Sequence, residues 1–327
     1  MRLRTWILAI LMTLSALLGT TACAAEGTGT ETFAPDGFTY SGGSGKLTME
    51  CPQIEFRDGQ PWATLILNSA NYPWVRVNGV QYDTEHPGKN SVAVIPVELN
   101  VPMEIVGLTT AMSEPHEITY TICVIHDAPE NFLPGLTFLE QEETKAELLE
   151  ILRYEDGYTL LRVKDAGEYL VVPEGAEIPG ALGKEIRLIC LPAENIYVEQ
   201  EDLFAALPDT GAVTLTGFET EDAECVGAGA DLKLPLLLKN KCSLALLGPD
   251  WADSRITGAD GETAFLREDL DDEQAKALRS VCEALGEYAI PAFVDRSGEE
   301  PTQEGRAVWA AVYEKLLVPA RDGEEKN

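Results

Sequence analysis

Met112 and His116 are the residue pair whose types and spacing come nearest to chemistry. On a helix, positions i and i+4 share a face. A thioether and an imidazole placed there could ligate haem iron or copper. Pro115 between them argues against a continuing helix. The competing reading is a loop in which Glu114-Pro115-His116 turns and the imidazole bonds nearby backbone. The chain has only 3 histidines, His86, His116 and His126, so the C-terminal half can hold neither a multi-histidine metal centre nor a histidine-driven hydrolase. Ser41-Gly-Gly-Ser-Gly45 has the flavour of a phosphate loop but lacks the Gly-Lys-Ser/Thr ending and the strand-to-helix setting. No GxSxG, CxxC, HExxH or Asp-x-Asp-x-Asp-Gly stretch occurs, so the sequence points to binding and away from catalysis. No cofactor of its own is expected.

Charge narrows the partners. The 327 residues carry 55 Asp plus Glu against 24 Lys plus Arg, a formal charge of −31. Such a surface repels phosphate backbones and anionic headgroups, which excludes general nucleic-acid binding and attachment to a membrane through a basic patch. The acidic runs at 140–143, 268–273 and 299–300 read as solvated faces, with loose Ca²⁺ binding as the sharper alternative.

Residues 1–22 combine Arg2 and Arg4, an apolar run from Trp6 to Leu18, and the small residues Gly19-Thr-Thr-Ala22. That is the layout of a secretory signal, and the apolar run is too short to span a bilayer. Cys23 directly after it resembles the bacterial lipobox, with Thr20 standing where that pattern usually has Leu. The resemblance implies lipidation of Cys23 and an extracytoplasmic protein held to the cell membrane by lipid alone. Cleavage would remove two arginines and no acid, taking the charge from −31 to −33. Residues 23–36 read as a flexible tether. Outside the cytosol the remaining cysteines, 51, 123, 190, 225, 242 and 282, can pair or stay free. Cys51 and Cys123, in the first and last strands assigned to the first domain, are the first pair to test, with buried free thiols as the alternative.

Two units must position these residues. Over 37–127, short alternating runs at 46–50, 54–56, 63–67, 74–77, 92–96, 103–108 and 118–124 are separated by Asp58-Gly59, Asn78-Gly79 and Pro87-Gly-Lys-Asn90. These are hairpin signals and predict an antiparallel β-sandwich, with 75–82 the clearest hairpin. Over 128–320, strands are expected at 151–154, 159–163, 169–172, 186–191, 196–198, 213–217, 243–247 and 290–294. Helices are expected at 201–207, 232–239, 272–285 and 305–317, and such alternation implies a mostly parallel sheet. In the helix at 272–285, Ala275, Leu278, Val281, Cys282 and Leu285 form one apolar stripe. Residues 321–327 read as a polar, disordered tail.

Phe38–Lys46, Tyr72–Gly79, Ile95–Val97 and Gly107–Ile118 resemble a module of bacterial lipoproteins that commonly precedes an iron-complex substrate-binding protein of an ABC importer. Leu133–Glu140, Tyr169–Gly175, Asn195–Tyr197, Leu203–Leu207 and Val213–Gly217 are similar, in order, to the N-terminal lobe of those substrate-binding proteins. Cys242–Leu246, Ile290–Ser297 and Gly305–Trp309 continue the likeness. The resemblance implies an α+β multidomain protein: an N-terminal antiparallel β-sandwich, then an α/β lobe like the N-lobe of a class III periplasmic-binding-protein fold. It also implies a siderophore, haem or similar iron complex as transported ligand and an ABC permease as partner.

Departures accompany the likeness. The family continues into a second lobe, so the C-terminal lobe is expected to be missing. Glu199-Gln200 replaces a longer ligand-facing loop, Pro235 stands where the family tends to dock on its permease through an acid, and Gln303-Glu304 replaces a His-Pro pair. Candidate ligand contacts are Met112, His116, Glu199, Gln200, Trp251 and Arg296. The alternative function is a surface interaction or adhesion lipoprotein without transport activity.

Overall fold

A computed structural model describes residues 32–43, 46–193, 195–198, 203, 207, 213–216, 242–249, 254–256, 263–265 and 290–317. Period-2 alternation builds the first nine strands: β1 Thr32–Phe33, β2 Gly37–Gly42, β3 Met49–Arg57, β4 Gln60–Leu67, β5 Trp74–Val77, β6 Val80–Asp83, β7 Ser91–Pro96, β8 Met103–Thr109 and β9 His116–Ile125. They form a four-stranded sheet, β1-β3-β4-β7, and a five-stranded sheet, β2-β9-β8-β5-β6. Every pairing is antiparallel. Ile54, Ala63, Leu65 and Ile95 of one sheet share a core with Val75, Ile105, Tyr120 and Ile122 of the other. The sandwich expected from the sequence is therefore present.

Both short turns do what their residues require. Asp58-Gly59 and Asn78-Gly79 each place two successive residues at positive φ (51° and 81°; 48° and 81°), the geometry that matches the twist of flanking strands. Two strand expectations change. The end of run 46–50 and run 54–56 belong to one strand, β3, whose register against β4 shifts between Glu50 and Gln53 around Pro52, a bulge that tolerates the missing N–H. Residues 37–42, which no expected strand covers, form an edge strand pairing with β9.

The next strands are β10 Phe138–Gln141, β11 Leu149–Tyr154, β12 Thr159–Val163, β13 Gly167–Val172 and β14 Ile186–Cys190. They form one sheet in chain order, antiparallel up to β13 and parallel only between β13 and β14. A mostly parallel sheet was expected here, and the connections explain the difference. Tight turns join β11 to β12 through Asp156 and Gly157 (φ 56° and 84°) and β12 to β13 through Asp165 (φ 57°). A parallel crossover needs a dozen or more residues.

A wholly parallel sheet is formed by β15 Asn195–Val198, β16 Val213–Thr216, β17 Leu244–Leu247 and, after the hairpin of β18 Ser254–Ile256 and β19 Thr263–Phe265, β20 Ala292–Val294. Their order is β16-β15-β17-β20. Helix α1, Gln303–Leu317, begins with Thr302 Oγ1 accepting the Gly305 N–H at 3.0 Å, a side-chain N-cap. Its buried Trp309, Val312, Tyr313 and Leu316 join a core shared by both sheets, with Tyr169, Leu246 and Phe293. The five-stranded sheet's other face packs Leu152, Tyr154, Leu160 and Leu170 around Leu133. The described chain is thus mostly β-sheet, with several antiparallel sheets and one α-helix among the described residues. Apart from Leu203 and Leu207, the helices expected at 201–207, 232–239 and 272–285 lie outside the described residues.

The sandwich meets the second region along β2 and β9. Ser41 Oγ accepts the Ala181 N–H at 3.1 Å, and Lys184 Nζ donates to Tyr40 OH at 3.2 Å. Gly180 lies so close that a Cβ there would stand 2.9 Å from Thr121 Cγ2.

Candidate functional site

In an open parallel sheet, ligands collect beyond the carboxyl ends of the strands, where successive connections run off in opposite directions. Here that point lies between β15 and β17: the chain goes from β15 outward to β16, then returns to β17 and on to β20. The described residues at this edge are Val198, Leu247, Gly248 and the run Asp295-Arg296 after β20.

Asp295 is buried, and its backbone N–H donates to Leu247 O at 2.8 Å. Its carboxylate accepts from Tyr313 OH at 2.5 Å, Ser297 N at 3.2 Å and Ser297 Oγ at 3.1 Å. Burial pushes this carboxyl above its usual range, against the pull of the Tyr313 and Ser297 hydrogen bonds. Burial and the neighbouring Asp295 charge push the Tyr313 hydroxyl well up in turn. A carboxylate engaged on both oxygens holds a loop in place and is not a free base. Beside it, Tyr169 OH accepts from the Val294 N–H at 3.2 Å and from Arg187 Nη1 at 2.9 Å, fastening β20 to the antiparallel sheet.

Glu300 lies one turn further along and is also buried. It accepts from Glu147 N at 2.9 Å, Leu148 N at 3.0 Å and Trp309 Nε1 at 3.0 Å. Burial raises its pKa, but these three hydrogen bonds and the Arg296 charge outweigh burial, and the carboxyl sits below its ordinary value. Arg296 is tied down: it donates to Lys164 O at 2.6 Å and to Glu299 Oε2 at 2.5 Å, with Asp165 at 3.7 Å. It stands at the carboxyl edge, yet its charge is spent on the protein itself.

The other expected site residues fare differently. Met112 is 65% exposed in the β8–β9 connection, and His116 opens β9 opposite Thr109. No helix carries the pair, so the shared-face ligand geometry is not formed, and Pro115 is the reason. Cys51 and Cys123 are buried free thiols. Cys51 packs in the sandwich core, whereas Cys123 lies out of phase with its inward neighbours Tyr120, Ile122 and Val124. The two cysteines sit on different sheets, and Cys123 faces away from the core that Cys51 enters, which rules out the suggested bridge. Cys23, Glu199, Gln200 and Trp251 lie outside the described residues.

One group escaped the sequence reading. Asp36 and Asp127 flank His126, with Asp36 Oδ2 at 3.3 Å from Nδ1 and Asp127 Oδ2 at 3.6 Å from Nε2. The Phe33 ring stacks on the imidazole at 4.2 Å. Among the described residues it is the one His/acid group close enough to hold a metal ion. The two carboxylates approach opposite ring nitrogens. Asp36 Oδ2 also accepts the Asp127 N–H at 2.7 Å, so the group closes the base of the sandwich. Ninety residues separate Asp36 from His126, and no local spacing signals them.

Among the described residues, no helix is long and apolar enough to cross a membrane. No protein-family model, curated protein or solved structure matches the chain.

Proposed function

We propose that the protein is an extracytoplasmic receptor, lipidated at Cys23, whose parallel-sheet region binds a small iron complex in the manner of the solute-binding component of an ABC importer. The observation that carries this reading is the β16-β15-β17-β20 order, which supplies a switch point and a binding edge. It accords with an α/β lobe of the class III periplasmic-binding-protein kind. An ABC permease is then the natural partner. Glu199-Gln200 follows β15 directly in sequence, and Trp251 follows β17 by four residues, so these candidates attach to the two strands that flank the switch point. No catalytic step is assigned.

Tryptophan fluorescence tests the proposal. Titration of the chain from Cys23 with haem, a ferric hydroxamate or Fe³⁺ is expected to give saturable quenching at micromolar concentration, and Trp251→Phe to remove most of it. No saturable response to any of them overturns the receptor reading. The reading left ahead is then a surface interaction lipoprotein. It draws on the outer face of β4 and β7, where half-buried Trp62, Ile66, Val92, Val94 and Pro96 stand in facing register.

A further inference from the structure

We propose that the cleft between the antiparallel sheet and helix α1 binds a small amphipathic carboxylate, its apolar part in the cleft and its carboxylate on Lys315. The cleft is open to solvent and has a cavity volume of about 70 Å³, room for part of a short hydrocarbon tail. None of its lining residues belongs to the parallel sheet, so it is a second site, independent of the receptor reading.

Strand register builds the floor. Ile151 pairs with Leu161 across β11 and β12, and the row Arg153–Thr159–Val171 crosses β11, β12 and β13. These side chains lie on the face that looks toward α1. On the helix, Val312, Lys315 and Leu316 stand at i, i+3 and i+4 and form the opposing wall. The lining is therefore hydrocarbon except at one end, where Thr159 and the two cations meet.

Charge selects the ligand. Arg153 is committed: its Nη1 donates to Thr159 Oγ1 at 2.6 Å, and its guanidinium is paired with Glu142. Lys315 has no hydrogen bond or ion pair among the described residues. Partial burial and the nearby Arg153 charge hold its pKa below the usual lysine value, against the pull of Glu142. The balance of Arg153, Glu142 and Lys315 is one unmatched positive charge beside an apolar cleft, in a chain of net charge −31. A neutral guest leaves that charge unmatched, and a cationic guest is repelled. A monocarboxylate with an aliphatic or aromatic body satisfies both ends, the pairing of apolar cavity and few polar groups that orients a small ligand.

Calorimetric titration of the chain from Cys23 to Asn327 with octanoate, 1-octanol and octylamine tests this. Octanoate is expected to bind one-to-one below about 1 mM, with octylamine showing no binding. Lys315→Ala should weaken octanoate by about ten-fold and leave 1-octanol unchanged, because only the charge-assisted bond is lost. Lys315→Glu should abolish octanoate binding. Lys315 is exposed, so both variants should fold, which matching circular dichroism would establish. No saturable octanoate binding, or equal affinity in wild type and Lys315→Glu, overturns the proposal.

Discussion

Glu300 shows how much one buried carboxylate can hold together. It joins the N–H groups of 147–148, at the start of β11, to the indole of Trp309 on α1, and it is 2% exposed. Its folded pKa lies below its ordinary value, so its stabilising contribution is present above the unfolded pKa and lost as pH falls through the folded one. Glu300→Gln replaces one acceptor oxygen with an amide that faces donors. It should destabilise the second region by about 2–3 kcal/mol at neutral pH. The gap to wild type in urea unfolding should narrow below about pH 4. A gap that stays constant with pH would show that the charge is immaterial. Asp295 has the opposite sign: burial raises its folded pKa, so its contribution is present below the unfolded value and lost as pH rises through the folded one.

Elements decide what their residues can reach. Strand β9 puts Tyr120, Ile122 and Val124 into the sandwich and Thr121 toward Gly180, and Cys123 shares the phase of Thr121. Burial pushes both the Cys51 and Cys123 thiols up to about 11, which keeps them protonated and unreactive. Under non-reducing conditions both should be alkylated only after unfolding, and peptide mapping should find no Cys51–Cys123 link. A native link between them would mean that the β9 phase is wrong. The alternating runs and the Asn-Gly and Asp-Gly turns made the sandwich legible in the sequence, because period and turn chemistry are local. Strand positions in the second region were legible too, except β10, β18 and β19, but not their directions. An apolar run such as Leu149–Tyr154 reads alike in parallel and antiparallel sheets, and only the short turn at Asp156-Gly157 tells them apart. Arg296 was named from the sequence only as a candidate ligand contact. Its capture by Lys164 and Glu299 was not legible, since those partners come from other parts of the chain. The approach of Lys315 to Arg153 was hidden for the same reason.

For the whole molecule, the seam between sandwich and second region rests on Ser41, Tyr40 and Thr121 against 180–184. It involves no residue of the core shared by α1 and the two later sheets. Deleting 37–125 and joining Asp36 to His126 should therefore leave the second region folded, with one cooperative unfolding transition and native-like circular dichroism. Loss of that transition would show that the sandwich is part of its folding unit. The same deletion is geometrically mild, because Gly37 pairs with Ile125 and the Asp36 N–H donates to Ile125 O at 2.9 Å. The chain enters and leaves the sandwich side by side. Under the proposed lipidation at Cys23, the sandwich would be a pendant and not a stalk: it would add breadth beside the second region, while the tether alone would set that region's reach from the bilayer.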